Sequence, residues 1–288
     1  MSLNTNRRFR DLRELKDLNL CDDFLFKEVM KDKKIVVGFL EMVLDLKDKI
    51  KEVKFIEAEK TIDSGYDGKT VRLDVYVVDE KETVYNIEIQ NGKFKNIGKR
   101  CRKYQENIDN DFLKRGHSYD RLKKQYIIMI CTGDPFGEGF YKYTFSNRCH
   151  EKLDLELGDE CEKIFLNTKG KTGEVSRELK AFLNFVEKST VENALDIKDS
   201  YVKRLSTRIE AIKKDEELGG RFMTLEERMD EIREDGLEEG IKQGIEQGIK
   251  QGIKHGSLQI AKEMKEEGFS IEQIVKLTKL SKEEIESL

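Results

Sequence analysis

Residues 71–90, VRLDVYVVDEKETVYNIEIQ, predict two β-strands joined by a short charged turn. Side chains along a strand alternate between the two faces of its sheet. One face of the first strand is then apolar, with Val71, Leu73, Val75 and Val77, and the other carries Arg72, Asp74 and Tyr76. In the second strand one face carries Tyr85, Ile87 and Ile89, and the other carries Asn86, Glu88 and Gln90.

The register of this hairpin decides whether its two acids meet. If Val78 pairs with Val84 across a five-residue turn, Asp74 lies directly opposite Glu88. Directly opposed Cβ atoms are about 4.5–5.5 Å apart, so two carboxylates there repel each other. Either a shared proton or a divalent cation would offset the repulsion. Two hard carboxylates suit Mg²⁺ or Mn²⁺, with the backbone carbonyl of Ile89 and water completing the ligand set.

The neighbours of the acid pair also have functional potential. Gln90 follows Glu88 on the same face, opposite Arg72, and its amide could hold a water molecule or a phosphate oxygen. The alternative is an exposed sheet face on which these polar side chains are simply solvated. The next segment, KFKNIGKRCRK (93–103), favours a site because it has no acidic residue and six basic ones: Lys93, Lys95, Lys99, Arg100, Arg102 and Lys103. An anionic metal site beside a cationic flank suits a phosphodiester backbone.

The composition sets limits on function and location. The net charge is −4, so the whole chain is not a basic nucleic-acid binder, and DNA binding would need a local patch. The five cysteines include no CxxC pair, which argues against a disulfide framework. No apolar run could span a bilayer and no signal peptide opens the chain, so we expect a cytoplasmic protein without a membrane segment.

The rest of the body alternates between helices and strands. Apolar spacing predicts helices within residues 7–50, a strand at 53–60, a helix over 97–112 and a buried strand at 125–131. Further strands are predicted in YKYTF and KIFLN, and further helices in VSRELKAFLNFVEK and YVKRLSTRIEAIKK. A strand, a helix and a buried strand in that order indicate a right-handed crossover. The fold class is therefore α/β, a mixed central sheet flanked by helices.

A different composition begins near residue 221, and we predict a domain of residues 1–220 followed by a tail, residues 221–288. Glycine recurs every fourth residue from Gly236 to Gly256, with Leu or Ile following each of the first five. Each interior glycine costs a helix about 1 kcal/mol relative to alanine. Two interpretations remain open: a flexible, partly helical tether, or a helix that pairs through its glycines in a homo-oligomer.

The last segment, FSIEQIVKLTKLSKEEIESL, predicts two short helices. Ser270 is the expected cap of the first helix, and Ser281 with Glu284 forms a capping box for the second. Two helices of mixed charge favour a packing or oligomerisation unit over a helix-turn-helix that reads DNA.

Several segments together resemble one family. An Asp on one strand and Glu-x-Lys on the next are the signature of PD-(D/E)xK phosphodiesterases, here supplied by Asp74 and by Glu88-Ile89-Gln90. The chain resembles the recombination-promoting nuclease, or putative transposase, branch, in which glutamine takes the lysine position. CDDFLFKEVM (21–30) is similar to the Asn-Asp-x-x-Phe-Lys opening of that branch, and KRCRKYQ is similar to its Arg-x-x-x-Tyr segment. The glycine repeat and the terminal helices also resemble its tail. Asp22 departs from the usual Asn, and Leu73 stands where a proline is common.

The resemblance implies a restriction-endonuclease-like core with a helical C-terminal tail. It assigns catalysis to Asp74, Glu88 and Gln90, and a Mg²⁺ or Mn²⁺ ion to the two acids and the Ile89 carbonyl. The resemblance places three supporting residues around the site: Asp23, Lys27 and Tyr104. Arg100 matches the arginine of the Arg-x-x-x-Tyr segment, and with Lys99 and Lys103 nearby we expect it to contact the phosphates of DNA.

Three hypotheses of function follow. The first is a metal-dependent DNA endonuclease, a hydrolase of phosphodiester bonds linked to recombination or mobile elements. The second is a catalytically weak or inactive DNA-binding or assembly protein on a nuclease scaffold, because Gln90 removes the positive charge of the motif lysine. The third is an oligomeric adaptor that assembles through the Gly-Ile repeat.

Overall fold

The structure is a computed structural model that describes residues 12–44, 49–62, 71–92, 94–113 and 116–288. Six strands lie within these residues: β1 (Val53–Ile62), β2 (Val71–Asp79), β3 (Val84–Gln90), β4 (Gln125–Cys131), β5 (Lys142–Phe145) and β6 (Cys161–Asn167). They form one sheet in the order β1-β2-β3-β4-β6-β5. β4 runs parallel to β3 and β6, and the other neighbours are antiparallel, so the sheet is mixed as predicted.

Helices precede, connect and follow the strands. Those of the described residues are α1 (Asp23–Val29), α2 (Lys33–Leu44), α3 (Ile97–Phe112), α4 (Arg177–Glu187), α5 (Val191–Ile197), α6 (Ser200–Lys213), α7 (Glu216–Glu266), α8 (Ile271–Thr278) and α9 (Lys282–Glu286). α3 connects β3 to the parallel strand β4, which confirms the predicted crossover connection. α5 was not predicted from sequence. The predicted helical region 7–50 lies partly outside the described residues, at 7–11 and 45–48.

Apolar side chains cover both faces of the sheet. On one face α1, α2, α4 and α6 contribute Phe26, Phe39, Phe182 and Val202 to a core shared with Ile128 of β4. On the other face α3 contributes a smaller core with Ile97, Cys101 and Ile108. Every residue of β4 is buried because helices cover this strand on both sides.

The β2–β3 hairpin has the register predicted from sequence. Val78 pairs with Val84, and the ladder continues to Val75 and Ile87. At the turn, the Asp79 N–H donates a hydrogen bond to the Thr83 carbonyl oxygen at 3.2 Å. The faces of β3 are also as predicted, since Tyr85 and Ile87 lie in the larger core and Ile89 packs against it.

The predicted faces of β2 are wrong in part. Val75 and Val77 lie in the larger core, whereas Val71 and Leu73 lie in the smaller core beneath α3, together with Tyr76. Strict alternation would have placed Leu73 and Val75 on the same face. The alternation therefore breaks between these two residues, at Asp74.

A missing ladder pair explains the break. Ala58 pairs with Val75 and Lys60 with Leu73, yet the ladder has no pair between Glu59 and Asp74. Glu59 has a φ of 64°, in the left-handed region. That conformation costs a non-glycine residue about 1–2 kcal/mol. The change of backbone direction leaves Asp74 outside the ladder, at the point where the chemistry was predicted.

The chain divides into two compact units, one ending at Met223 and the other spanning Thr224–Leu288. The glycine repeat is helical throughout, as part of α7, so the partly helical alternative does not describe it. Leu, Ile, Lys, Gln and Glu between the glycines all favour or tolerate a helix. Neither the tether function nor the pairing of this helix with another copy is tested, and both stay predictions.

The two terminal helices are confirmed together with their caps. Ser270 and Ser281 each accept a hydrogen bond from the third residue of their helix, and both helices have a complete capping box. Their apolar side chains pack with the end of α7 in a small core around Ala261, Ile274 and Ile285. None of the helices in the described part of the chain has the length and apolar character to cross a membrane.

Candidate active site

Asp74 and Glu88 lie just beyond the last ladder pair of the hairpin, Val75 and Ile87. The Asp74 N–H donates to Oε1 of Glu88 at 3.1 Å. The Ile89 N–H donates to Oδ2 of Asp74 at 3.2 Å. Each carboxylate therefore binds the backbone of the other strand, in place of the ladder hydrogen bonds, and the two acids meet at one point.

Burial, and then a neighbouring negative charge, raise the pKa of both acids. Glu88 is 2% exposed. Loss of solvent, and then the charge of Asp74, raise the pKa of Glu88 to about 8. Loss of solvent and the charge of Asp23 also raise the pKa of Asp74, although Lys27 and the Ile89 N–H partly oppose this shift. Nearby positive charge therefore compensates the pair only in part, because the pKa of Glu88 stays raised although the charge of Arg100 acts on it.

Lys27 of α1 approaches the acid pair from the face of the larger core. Its side chain is 4% exposed, and its Nζ lies 2.6 Å from Asp23, 3.1 Å from Glu59 and 3.5 Å from Asp74. Burial opposes the charge of Lys27, but the three carboxylates outweigh burial and raise the pKa of the ammonium. The supporting residues Asp23 and Lys27 thus lie at the site.

Arg100 of α3 approaches from the opposite face. Its guanidinium donates to the Gln90 side-chain oxygen and, at 2.9 Å, to the hydroxyl of Tyr104. Tyr104 is also part of the smaller core, so its ring packs while its hydroxyl orients the arginine. The acid pair consequently lies between Lys27 from one face of the sheet and Arg100 from the other.

A cationic pocket of about 440 Å³ opens beside Arg100. Its lining residues include no acid and four bases: Arg72, Lys99, Arg100 and Lys103. Val71, Asn96 and Tyr104 complete the wall. The three residues predicted to contact phosphate therefore lie together, whereas Lys93, from the same basic segment, lies outside the described residues.

The residues at this point fit a divalent metal ion. The donors are hard carboxylate oxygens, and a divalent cation would offset the repulsion that raises the pKa of Glu88. Asn86, on the same face of β3, is fully buried, and its side chain partly opposes the rise in the pKa of Glu88. No group of three or more His, Cys, Asp or Glu side chains suited to a metal occurs in the part of the chain that the structure describes. The predicted ligand set contains only two such side chains, with one backbone carbonyl and water as the other ligands, so a group of three is not required.

Sequence reasoning missed several residues of the site. Glu59 has a left-handed backbone and contacts Lys27, and no local pattern in the sequence indicates either feature. Arg72 and Asn96 reach the cationic pocket from β2 and from the residue before α3. The sequence placed Asn86 on the face of Glu88, but nothing in the sequence indicated that it is fully buried.

A mixed sheet with helices on both faces defines an α/β protein with a restriction-endonuclease-like fold. The model of a family described as PD-(D/E)XK nuclease family transposase matches residues 20–233, and the chain belongs to this family. No curated protein and no solved structure shows significant similarity to the chain. The family supports a function of the nuclease or transposase type with DNA as substrate, and nucleases of this superfamily generally use divalent metal ions.

Proposed function

We propose that the protein is a metal-dependent DNA endonuclease that hydrolyses phosphodiester bonds. The observation that carries the proposal is the reciprocal contact between Asp74 and Glu88. Two strand-borne carboxylates meet there with incomplete charge compensation, between cations from both faces of the sheet. A structural role alone would not require two acids to share one buried point, because like charges in that position destabilise the fold.

Each residue of the site has a distinct role in this proposal. Asp74 and Glu88, with the backbone carbonyl of Ile89, would hold Mg²⁺ or Mn²⁺. A bound ion of this kind lowers the pKa of a coordinated water and stabilises negative charge on a phosphate. Gln90, anchored by Arg100, positions the attacking water or a phosphate oxygen. Asp23 supports the site by holding Lys27.

The cationic pocket supplies the contact with DNA. Lys99, Arg100 and Lys103 lie on α3, and Arg72 faces them across the pocket. Phosphate contacts of this kind fix the register of a nucleic acid without reading its sequence. Tyr104 keeps the Arg100 guanidinium in place. We therefore propose a backbone-binding surface that orients the scissile bond towards the acid pair.

One observation favours a second candidate function, an inactive DNA-binding or assembly protein. Gln90 is neutral, and its side-chain oxygen accepts from Arg100. If the motif lysine were indispensable and nothing replaced its charge, the pocket could bind DNA without cleaving it. The two functions differ in one measurable property, turnover of DNA at saturating metal.

Cleavage of supercoiled and linear DNA tests the proposal. We expect nicking with Mg²⁺ or Mn²⁺ but not with Ca²⁺, and its loss in Asp74→Ala with the fold intact. Glu82→Gln is a matched control, because Glu82 lies in the turn at the far end of the hairpin and pairs with Lys123. Equal cleavage by the wild type and Asp74→Ala would refute the assignment. DNA binding without cleavage under any of these metals would favour the second candidate.

Three further expectations belong to this proposal. The nuclease body occupies the N-terminal part of the chain, near residues 1–220, and the tail from about residue 221 serves as a tether or an oligomerisation element. The protein acts in the cytoplasm. We propose recombination or the movement of mobile elements as its biological setting, a proposal that the description of the family supports.

A further inference from the structure

Lys27 brings a buried and fixed positive charge to the acid pair. An ammonium has three hydrogens, and three carboxylates surround it, those of Asp23, Glu59 and Asp74. The closest two, from Asp23 and Glu59, are half-exposed and tether the ammonium at 2.6 and 3.1 Å. The third, from Asp74, is the carboxylate that also binds the Ile89 N–H.

Packing alone does not account for this lysine. α1 contributes Leu25, Phe26 and Val29 to the larger core, each at most 1% exposed. A charge buried beside them is costly unless it is paired, and an apolar side chain would fill the same space at lower cost. The backbone is also strained here, because Glu59, which binds Lys27, has a φ of 64°. Strained backbone and buried charge at one point are typical of functional sites.

We propose that Lys27, carried by α1, provides the positive charge that a strand-borne lysine supplies in the Asp…Glu-x-Lys motif and that Gln90 does not provide. This inference rests on the proposed endonuclease function and names a further residue for it. The Lys27 ammonium lies 3.5 Å from the Asp74 carboxylate, on the face of the sheet opposite to α3.

Arg100 is less suited than Lys27 to replace the charge of the motif lysine. Its guanidinium donates hydrogen bonds to the neutral side chains of Gln90 and Tyr104 and lines the cationic pocket, although its charge also acts on Glu88. Its geometry suits a grip on the DNA backbone. Lys27 is directed at the acid pair itself, and the pocket residues do not include it.

The position of Lys27 has two opposite consequences. Its charge stabilises negative charge that develops on the phosphate, so it accelerates cleavage. The same charge lies 3.5 Å from Oδ1 of Asp74 and opposes a divalent cation at that oxygen. Removal of the charge should therefore slow cleavage and tighten metal binding, whereas loss of a purely structural residue would weaken both.

Lys27→Met tests this directly, because methionine keeps most of the volume and removes the charge. We expect kcat to fall about 100-fold with little change in KM for DNA, as when one electrostatic donor is removed from a catalytic site. In calorimetric titration without DNA, the dissociation constant of Ca²⁺ should fall several-fold. Lys123→Met is the matched control, since Lys123 pairs with Glu82 at the far end of the hairpin, and it should change neither quantity.

Two further variants extend the test, and the first, Glu59→Gln, keeps it decisive if Lys27→Met unfolds because it retains Lys27. Glu59→Gln removes one tether of the ammonium from a half-exposed position, and we expect weaker Ca²⁺ binding because the ammonium moves towards Asp74. Lys27→Met/Gln90→Lys returns a charge from the strand, and it should regain at least about tenfold in kcat over Lys27→Met.

The outcomes separate this inference from the proposed function. Unchanged cleavage in Lys27→Met, with cleavage lost in Asp74→Ala, would overturn the role of Lys27 and leave the endonuclease standing. Weaker Ca²⁺ binding in folded Lys27→Met, or no gain in the double variant, would also overturn it. Cleavage unaffected by Asp74→Ala would overturn the endonuclease itself.

Discussion

Glu88 couples the stability of the metal-free protein to pH. Its pKa rises from 4.5 to about 8 on folding, mainly through loss of solvent and then through the charge of Asp74. Between these two pH values the folded protein binds more protons at this residue than the unfolded chain does. The free energy of unfolding contributed by Glu88 is therefore greatest below pH 4.5 and falls as pH rises towards 8.

A comparison with Glu88→Gln isolates this contribution. We expect urea denaturation in EDTA to show that the free energy of unfolding of the wild type falls relative to that of Glu88→Gln as pH rises from 4.5 to about 8. A divalent metal should reduce the difference, because it stabilises the ionised acid. A pH-independent difference between the two proteins would mean that Glu88 keeps its ordinary protonation in the fold.

At the residue scale, the central pair could be predicted and its surroundings could not. The register set by the short turn was enough to bring Asp74 close to Glu88, because it depends on local sequence, although the alternation of β2 breaks at Asp74. The contact of Lys27 with Asp74 depends instead on how α1 packs against the sheet. The resemblance marked Lys27 as a supporting residue, but only the structure gives its three carboxylate partners.

At the scale of elements, the glycine repeat of α7 offers a second prediction. A Cβ atom built on Gly240, Gly244, Gly248 or Gly252 meets no heavy atom within 4 Å. Alanine at these four positions should therefore stabilise the helix by about 0.5–1 kcal/mol per site. Helicity measured by circular dichroism during heating should persist to higher temperature in the variant.

The same variant distinguishes the two interpretations of the repeat. If the glycines serve close pairing with another copy, the added methyl groups should weaken the oligomer measured by analytical ultracentrifugation. An unchanged molecular mass together with higher helical stability would favour a tether. Lower helicity on heating would contradict the structure of α7, because it would require contacts that the open glycine positions do not have.

Most elements could be predicted because their apolar patterns are strong. β4 is a continuous buried run, and α3 has an apolar stripe at helical spacing. α5 has only seven residues and one buried side chain, Ala194, so its pattern was too weak to detect. The switch of faces in β2 could not be predicted either, because it depends on the backbone of Glu59 in the neighbouring strand.

For the whole molecule, the end of the nuclease body can be tested by truncation. Phe222 is 1% exposed and packs with Phe24, with their ring centroids 5.1 Å apart. A chain that ends at residue 220 loses this ring from the larger core, which should cost about 3 kcal/mol or more. A chain that ends at residue 233, where the family match ends, retains it.

Thermal unfolding and DNA cleavage of the two truncated chains provide the measurement. We expect the chain ending at 233 to unfold near the temperature of the full-length protein and to keep its cleavage activity. The chain ending at 220 should unfold at a clearly lower temperature. Equal stability of the two chains would mean that Phe222 contributes little to the core and that the body ends earlier.

The change of composition near residue 221 predicts a two-part organisation, and the structure divides into compact units after Met223. The contribution of Phe222 was not visible, because it lies beyond that change and only the three-dimensional packing assigns it to the larger core. The family, which matches residues 20–233, supports a nuclease or transposase-like function with DNA as substrate. The arrangement that would cleave it depends on whether Asp74 and Glu88 act as one metal centre.

The most direct test of a shared metal centre is calorimetric titration with Mn²⁺. Four proteins are compared: the wild type, Asp74→Asn, Glu88→Gln and the double variant. We expect one site in the wild type, its loss in each single variant, and no further loss in the double variant, because both acids bind the same ion. Unchanged Mn²⁺ binding in either folded single variant would show that the two carboxylates do not share a cation, and the proposed centre would be wrong.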